Sequence, residues 1–398
     1  MNPIEKRATI ALASIFSIRM LGLFMVLPIF SLYAMHLSSA TPFLIGIAIG
    51  IYGLTQALMQ LPFGMLSDRF PRKNIIFIGL ILFIIGSIVA AISHSIQGVI
   101  LGRALQGGGA IGSVIIALLT DLTRIEQRSK SLAIIGIMIG FSFLLSMLLG
   151  PLLGNWLHLS GLFWLTALLG FISLLVLLFI VPKTDYASMP PPLTSQNFLA
   201  LFFHKELLRL NFGIFSLHTI LTACFVVLPI LISHLMKQQN VWILYFSTLL
   251  ISCAFIFPLL NYAERNNRVK QLFITAIAGL ILSLIWLRFF NHNLYEITLG
   301  LITFFTAFNF LEANLPSLIS RAAPADRKGT AIGIYSSSQF LGIFCGGLLG
   351  GWIYGHLSLE TVFSVCGIIA VLWLLVTYNM VNYVNIKKHA INEQQAAQ

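Results

Sequence analysis

Four ionisable side chains lie inside long apolar runs of this 398-residue chain: Arg19, Arg103, His218 and Glu312. A charged side chain in hydrocarbon costs about 2.5–3.5 kcal/mol on insertion scales, so each needs a structural or functional reason. A carboxyl group and an imidazole can bind and release protons, whereas a guanidinium keeps its charge and acts on its neighbours or on an anion. The set therefore indicates proton exchange near fixed positive charge.

The apolar runs that contain these residues are about 20 residues long, the length at which a helix crosses a hydrocarbon layer of about 30 Å. Hydrophobic residues make up 58% of the chain and charged residues only 9%, too few to cover a water-soluble surface. Hydropathy predicts twelve spans, numbered here in chain order: 8–35, 43–66, 74–94, 97–120, 131–157, 161–182, 210–234, 242–262, 271–290, 296–319, 330–356 and 360–384.

The basic residues predict the orientation of these spans. With a cytosolic N-terminus, nineteen of the 23 Lys and Arg face inward, since Lys237 and Arg288 alone face outward and Arg19 and Arg103 lie within spans. This is the positive-inside bias. The net charge of +11 therefore orients the chain and does not mark a nucleic-acid surface. We predict a multi-pass protein of the bacterial inner membrane with both termini cytoplasmic.

One offset relates two separate pairs of motifs, which indicates a duplicated unit. At 196 residues apart, Asp68-Arg69-x-x-Arg72-Lys73 corresponds to Glu264-Arg265-x-x-Arg268-x-Lys270, and Gly150-Pro151-Leu-Leu-Gly154 corresponds to Gly346-Gly347-Leu-Leu-Gly350. Units with an even number of helices form parallel repeats with a site at their interface. The predicted domains are bundles at 1–183 and 210–398, joined by a cytoplasmic linker at 184–209.

Three motifs resemble signatures of the major facilitator superfamily and its drug/proton antiporter branch. They are Gly64-x-Leu66-Ser67-Asp68-Arg69-x-Pro71-Arg72-Lys73 after span 2, Arg103-x-x-Gln106-Gly107-x-Gly109-Ala110 in span 4, and Gly150-Pro151-x-x-Gly154 in span 5. Pro71, Ser146 and Asn155 replace glycines of the usual patterns. The resemblance implies an all-α membrane protein of twelve transmembrane helices in two pseudo-symmetric six-helix halves.

The segments 19–22, 44–56 and 329–339 resemble YajR-type transporters within that superfamily. Some members of that group carry an extra soluble C-terminal domain. This chain ends about fourteen residues after span 12, so we expect it to lack one.

In the superfamily, spans 1, 4, 7 and 10 line a central cavity, and the four buried ionisable residues occupy those spans. Glu312 is the candidate proton-coupling or cation-recognition group; a fixed ion pair with Arg19 or Arg103 is the alternative. His218 is either a second protonation or substrate site or a neutral imidazole bonded to a neighbouring helix. Arg103 matches the branch's span-4 arginine, which implies a role in proton transfer, with a structural ion pair as the alternative.

Arg19 is a candidate substrate contact. In many antiporters of the branch an Asp lies four residues before the span-1 proline, but here that position, before Pro28, is Phe24. This substitution weakens the case for a cationic drug and permits an anionic or zwitterionic substrate. Further candidate substrate contacts, each also explicable as an interhelical hydrogen bond, are Tyr52, Gln56, Gln60, Asn309, Tyr335 and Gln339.

The loop after span 2 predicts an inner gate. The carboxylate of Asp68 can accept from free N–H groups that open another helix. The family pattern implies that this helix is span 11, near Gly329, with a breakable charge cluster of Arg69, Arg72, Asp121 and Arg128. A solvated loop whose charges serve only topology is the alternative.

We therefore predict a proton-coupled antiporter that exports a small amphipathic compound by alternating access. Proton-coupled uptake of a small organic solute or anion, and a non-transporting receptor or scaffold, remain as alternatives. Cys224, Cys253, Cys345 and Cys366 lack metal-like spacing, and Gly107-Gly108-Gly109 lies inside a span and not after a strand, so neither a metal site nor a phosphate loop is expected. We expect no cofactor, no enzymatic activity and a monomer whose partners are substrate, protons and lipid.

Overall fold

A computed structural model describes residues 1–182, 201–324, 327–378 and 380 of the chain, and it is predominantly helical. Eleven of its helices are long and apolar enough to cross a membrane. One of them, Ile125–Ile180, is 56 residues long and turns at His158, where φ is 54°, so it holds two spans. Helices are therefore present at all twelve predicted spans, and the predicted fold class is confirmed. The predicted linker at 184–209 lies mostly outside the described residues.

Most spans are single helices with bounds close to the predicted ones. They are span 2 at Pro42–Arg69, span 3 at Arg72–Ile92, span 7 at Lys205–Ser233, span 8 at Val241–Arg265, span 9 at Val269–Phe289, span 10 at Leu294–Ala322, span 11 at Lys328–His356 and span 12 at Leu359–Tyr378. Spans 5 and 6 follow each other within Ile125–Leu175 and are separated by the non-helical backbone at His158; span 6 continues as a π-helical turn at Val176–Ile180.

Two spans that the sequence predicts as continuous are interrupted. Span 1 comprises Pro3–Val26 and Phe30–Ala34, and it breaks around Pro28, which has no N–H to donate. Span 4 comprises Ile96–Gly108 and Gly112–Asp121. At that break, a Cβ on Gly109 would lie 2.2 Å from the carbonyl oxygen of Gly79 in span 3, so only glycine permits the approach.

The described residues form two compact units. Unit 1 contains those of Met1–Pro192, Leu221–Phe246 and Ile343–Val362, and unit 2 contains those of Leu193–Ile220, Ser247–Gly342 and Phe363–Gln398. Spans 7 and 11 thus contribute their second parts to unit 1 and their first parts to unit 2. The predicted halves at 1–183 and 210–398 follow from the sequence repeat and stay a prediction.

In unit 1, spans 1 and 5 are joined by small polar side chains along their length. Thr9 Oγ1 donates to Ser131 Oγ at 3.1 Å, and Ser146 Oγ donates to the carbonyl oxygen of Leu21 at 3.1 Å. Ser17 and Ser142 form a further hydrogen bond between these two points. Ser146, which replaces a glycine of the family pattern, therefore supplies an interhelical bond in place of a closer backbone contact.

Unit 1 also contains a glycine seam, formed by Gly46 and Gly50 of span 2 with Gly347 and Gly351 of span 11. A Cβ on Gly46 would lie 2.1 Å from the carbonyl oxygen of Gly347, and a Cβ on Gly351 would lie 2.9 Å from the Cα of Gly46. Because these contacts are with backbone, no side-chain movement could relieve them. The missing side chains allow the two helices to touch.

In unit 2, span 7 is held between spans 11 and 12. A Cβ on Gly342 would lie 2.4 Å from the carbonyl oxygen of Phe215, and Thr219 Oγ1 donates to the carbonyl oxygen of Gly342 at 3.2 Å. On its other side, Gly213 leaves room for the indole of Trp373, which is fully buried. These contacts fix span 7 beside span 11 at the level of His218.

Candidate functional site

Three predicted site residues from three different spans meet inside unit 2, and we call them the proton triad. The amide nitrogen of Gln339 in span 11 lies 2.9 Å from Nε2 of His218 in span 7. The same nitrogen donates to Oε1 of Glu312 in span 10 at 3.2 Å. Nδ1 of His218 lies 3.9 Å from Oε2 of Glu312. The sequence predicts each member but not that they touch.

The hydrogen-bonding capacity of the proton triad assigns its protons. An amide nitrogen carries two hydrogens and no acceptor, so one can reach Glu312 and the other His218. Nε2 of His218 must then accept, which leaves the imidazole hydrogen on Nδ1, the nitrogen that faces Glu312. Oε2 of Glu312 has no hydrogen-bond partner among the described residues, and the side chain is 34% exposed. This oxygen is itself buried, so it is an unused acceptor for a proton beside His218.

Two further candidates lie on the helical faces next to the proton triad. Asn309 precedes Glu312 by three residues in span 10, and Tyr335 precedes Gln339 by four in span 11, so each shares a face with its triad neighbour. The Asn309 amide nitrogen and the Tyr335 hydroxyl have no hydrogen-bond partner in the described part of the chain. The ring of Phe308 packs edge-on against His218, with centroids 5.9 Å apart.

Unit 1 holds a second group of predicted residues, the cationic cluster of Arg19, Tyr52, Gln56 and Arg103. The guanidinium carbons of Arg103 and Arg19 lie 5.1 and 5.9 Å from the centroid of the Tyr52 ring. Nη2 of Arg19 donates to Oε1 of Gln56 at 2.5 Å. Arg19 and Arg103 are only 2% and 4% exposed. Two permanent positive charges thus share one buried aromatic ring.

Arg103 is held by neutral acceptors. Its guanidinium donates to the carbonyl oxygens of Ala48 and Ile49 in span 2 and to Oε1 of Gln106. Gln106 in turn donates to Ser87 Oγ in span 3 at 2.8 Å. The prediction omitted Gln106 as a site residue, although it stands one turn after Arg103 in the span-4 motif, where that spacing already indicates a shared face.

A small cavity opens beside the cationic cluster within unit 1. Its lining includes Arg103, Phe24, Leu27, Ile49 and Thr222. Phe24 is the residue that stands where many antiporters of the branch carry an Asp. Gln60 continues the face of Tyr52 and Gln56 along span 2, and its amide oxygen is a buried acceptor with no partner in the described structure. The cavity therefore has an apolar wall and one cationic corner.

Three of the predicted gate residues, Asp68, Arg72 and Asp121, form a chain of ionic contacts within unit 1. Nε of Arg72 lies 2.7 Å from Oδ2 of Asp121, and its Nη2 lies 3.8 Å from Oδ1 of Asp68. Arg128 donates to the carbonyl oxygens of Thr120 and Thr123. Arg69 and Gly329 are exposed. The predicted contact of Asp68 with the start of span 11 connects the two units and stays a prediction.

The comparisons with known proteins point in one direction. The sequence model of the Major Facilitator Superfamily matches residues 12–259 and 210–396. "Inner membrane transport protein YajR" of Escherichia coli K12 is 44% identical over 383 residues, which cover 96% of this chain and 84% of that protein. "Uncharacterized transporter BU466" of Buchnera aphidicola subsp. Acyrthosiphon pisum is 38% identical over 351 residues, 87% of this chain and 90% of that protein. The solved structure of the nucleoside transporter NupG (D323A mutant) covers 94% of this chain and 99% of its own with a TM-score of 0.73 at 15% identity, a likeness of fold.

Proposed function

The chain belongs to the major facilitator superfamily, whose members are membrane transporters and not enzymes, and on that premise we propose that it exports a small amphipathic compound in exchange for protons. The observation that supports proton coupling is the proton triad, in which a carboxylate and an imidazole share one amide donor inside the membrane-spanning bundle. A non-transporting scaffold would have no use for such a pair.

The triad suggests how a proton changes the contacts between helices. With Glu312 ionised, the Gln339 amide donates to the carboxylate and thereby bonds span 11 to span 10. A proton on Oε2 leaves Oε1 as a neutral carbonyl acceptor, so the hydrogen bond from Gln339 loses its charge assistance and weakens. The same proton removes the negative charge that faces Nδ1 of His218. One proton thus alters the bonds among spans 7, 10 and 11.

Alternating access also requires gates, and we assign the inner one to the loop after span 2. In this proposal Arg72 links Asp68 and Asp121, and Asp68 caps the first turn of span 11 near Gly329 when the cytoplasmic side is closed. Arg69 and Arg128 complete the charge cluster. The assignment places both termini in the cytoplasm, in agreement with the distribution of Lys and Arg.

Glu312→Gln tests the proton coupling, because the amide keeps the size of the side chain and cannot bind a proton. The compound is first chosen as the one that most stabilises the purified wild-type protein in a thermal screen of small amphipathic molecules. Flux of that compound into proteoliposomes is then measured with and without an imposed pH gradient. We expect Glu312→Gln to fold, to bind the compound and to lose at least about 90% of the gradient-driven flux.

The matched control is Glu296→Gln in the same helix. Glu296 lies in the first turn of span 10, where its carboxylate accepts from His292 and Asn293, outside the proton triad. The Glu296→Gln variant should therefore retain gradient-driven flux. Wild-type flux and pH dependence in Glu312→Gln would remove Glu312 from the coupling mechanism.

Proton-coupled uptake of a small organic anion is the second candidate function. The cationic cluster favours it, because two buried guanidinium groups whose hydrogen-bond partners are neutral would attract negative charge. For the same monovalent anion, export in exchange for a proton and uptake together with a proton differ in the charge that crosses the membrane in each cycle, and this difference gives a direct test.

A further inference from the structure

Resting on the proposed function as a transporter, we infer that the substrate is an organic anion whose acidic group binds the cationic cluster and whose apolar part occupies the adjoining cavity. This inference concerns the chemical class of the substrate. It is independent of whether protons drive the transport, and it depends on unit 1 alone.

The first argument is the charge balance of unit 1. The partners of Arg19 and Arg103 are the aromatic rings of Tyr52 and Phe83, two glutamine side chains and backbone carbonyls, all of them neutral. A cation removed from water without an anionic partner is strongly destabilised, and such groups normally carry a counter-charge.

No described residue of unit 1 supplies that counter-charge. Every described acidic side chain of the unit stands in the first or last turn of a helix: Glu5, Asp68, Asp121, Glu126 and Glu360. Glu5 is bonded to Arg124, and Asp68 and Asp121 are bonded to Arg72. The deficit of negative charge therefore lies at the middle of the spans, where a bound anion would correct it.

The second argument is the supply of free donors. Nε of Arg19 and the amide nitrogen of Gln56 are buried and have no hydrogen-bond partner in the described part of unit 1. Both belong to side chains already bonded to each other through Nη2 and Oε1. A carboxylate, sulfonate or phosphate oxygen accepts from such donors, whereas an ammonium group cannot. Donors without acceptors thus select for an acceptor-rich ligand.

The third argument is the wall of the cavity. Among the described residues that line it, Arg103 alone is charged, while Phe24, Leu27 and Ile49 are apolar. An Asp at position 24 would place a carboxylate in this same cavity and would neutralise the arginine from within. With Phe24 instead, the positive charge stays available and the surface beside it favours hydrocarbon. An acid with an apolar body matches both features.

The charge preference can be measured on purified protein without transport. Thermal unfolding is recorded with sets of three ligands that share a skeleton: benzoate, benzamide and benzylamine; hexanoate, hexanamide and hexylamine; indole-3-acetate, indole-3-acetamide and tryptamine. We expect the acid of at least one set to raise the unfolding temperature while its amide and amine do not. Stabilisation by amides or amines equal to that by acids, or no stabilisation by any acid, would overturn the inference.

Phe24→Asp then tests the site while both arginines stay in place. The introduced carboxylate pairs with Arg103, so the affinity for the best acid should fall at least about tenfold. Phe24→Leu is the matched control, since it keeps the cavity apolar and should keep the preference for acids. Unchanged acid affinity in a folded Phe24→Asp variant overturns the site assignment, and if that variant does not fold, the wild-type ranking of acid, amide and amine decides alone.

The ligand-binding test of the anion site and the flux test of proton coupling can fail independently of each other. If Glu312→Gln retains full gradient-driven flux but acids bind selectively, proton coupling fails and the anion site stands. If amines or amides bind best while Glu312→Gln loses coupled flux, the anion site fails and the coupling stands.

Discussion

At the scale of single residues, Gln339 determines what the two titratable groups of unit 2 can do. Its amide joins Glu312 and His218, which are 94 positions apart in the chain, through contacts of 3.2 and 2.9 Å. The alternative for His218, a neutral imidazole bonded to a neighbouring helix, explains its contact with Gln339 but not its approach to Glu312. The approach of Nδ1 to Glu312 at 3.9 Å is the feature that would make His218 a second proton site. A small rotation of either side chain would turn that approach into a hydrogen bond.

The gate proposal predicts that Asp68 matters for turnover and hardly for stability. Its contact with Arg72 is 3.8 Å long and its side chain is 49% exposed, and such pairs contribute about 0–1 kcal/mol. Arg72 keeps its shorter contact with Asp121 when Asp68 becomes Asn. We expect the free energy of unfolding of Asp68→Asn to lie within about 1 kcal/mol of the wild-type value, and the variant to bind ligand normally. Its turnover should fall at least about tenfold, a barrier change of ~1.4 kcal/mol.

Glu126→Gln, in the exposed first turn of span 5, is the matched control for Asp68→Asn. Ligand-induced stabilisation reports binding and vesicle flux reports turnover, so the two effects are measured separately. Equal turnover in Asp68→Asn and Glu126→Gln would contradict the gate and would mean that the charges of this loop serve only to orient the chain in the membrane.

The residues of the site were predictable because burying them is costly. Arg19, Arg103, His218 and Glu312 stand out in an apolar sequence for that reason alone. Their contacts were not predictable, because Gln339 meets His218 from 121 positions away and neither position carries a periodic signal for the other. Gln106 belongs to the span-4 motif but was not predicted as a site residue, since one glutamine in a helix is most simply explained by local hydrogen bonding.

At the scale of elements, the glycine seam makes the packing of spans 2 and 11 sensitive to a single methyl group. A Cβ on Gly46 meets the backbone of Gly347 at 2.1 Å, so the helices must separate. Gly46→Ala should lower the free energy of unfolding by about 1–3 kcal/mol, the usual cost of overpacking. Thermal unfolding in detergent measures the change, and flux should fall with it while Glu312 is untouched.

Gly136→Ala and Gly140→Ala are matched controls for the seam, because a Cβ at either position in span 5 meets nothing within 4 Å. Alanine favours a helix over glycine by up to about 1 kcal/mol, so these variants should be as stable as wild type or slightly more stable. If Gly46→Ala behaves as they do, spans 2 and 11 do not depend on close contact.

Hydropathy located the elements but not their interruptions. Length and apolar content suffice to place a span, since the bilayer sets both. The break at Gly109 depends on a contact with Gly79 in span 3, and such a contact leaves no trace in the local sequence. Spans 5 and 6 were separable in the sequence, and in the structure they are separated by the kink at His158, where φ is 54°. A neighbouring helix therefore decides the break in span 4, whereas the local effect of Pro28 decides the break in span 1.

At the scale of the whole molecule, the sign of the substrate's charge decides which force drives a cycle. Inward movement of one proton in exchange for one outgoing monovalent anion transfers two charges in the same electrical direction, about 4.6 kcal/mol at 100 mV. Uptake of one proton together with one monovalent anion transfers none. Exchange of one proton for one monovalent cation also transfers none. The electrical response therefore separates the proposed export from its alternatives once the ligand charge is known.

We predict that a potential negative on the cytoplasmic side accelerates export even without a pH gradient, because each exchange of a proton for an anion carries net charge. The measurement uses oriented proteoliposomes in which potassium and valinomycin set the potential, with the best stabilising acid as the transported species and Glu312→Gln as the uncoupled reference. Flux should rise with the potential in the wild type and stay close to zero at every potential in the variant, which cannot exchange a proton for the anion. A wild-type flux that follows the pH gradient but ignores the potential would instead identify electroneutral uptake of an acid together with a proton. In that case the negative charge of the anion bound at Arg19 and Arg103 and the positive charge of the proton bound at Glu312 cross the membrane together and cancel.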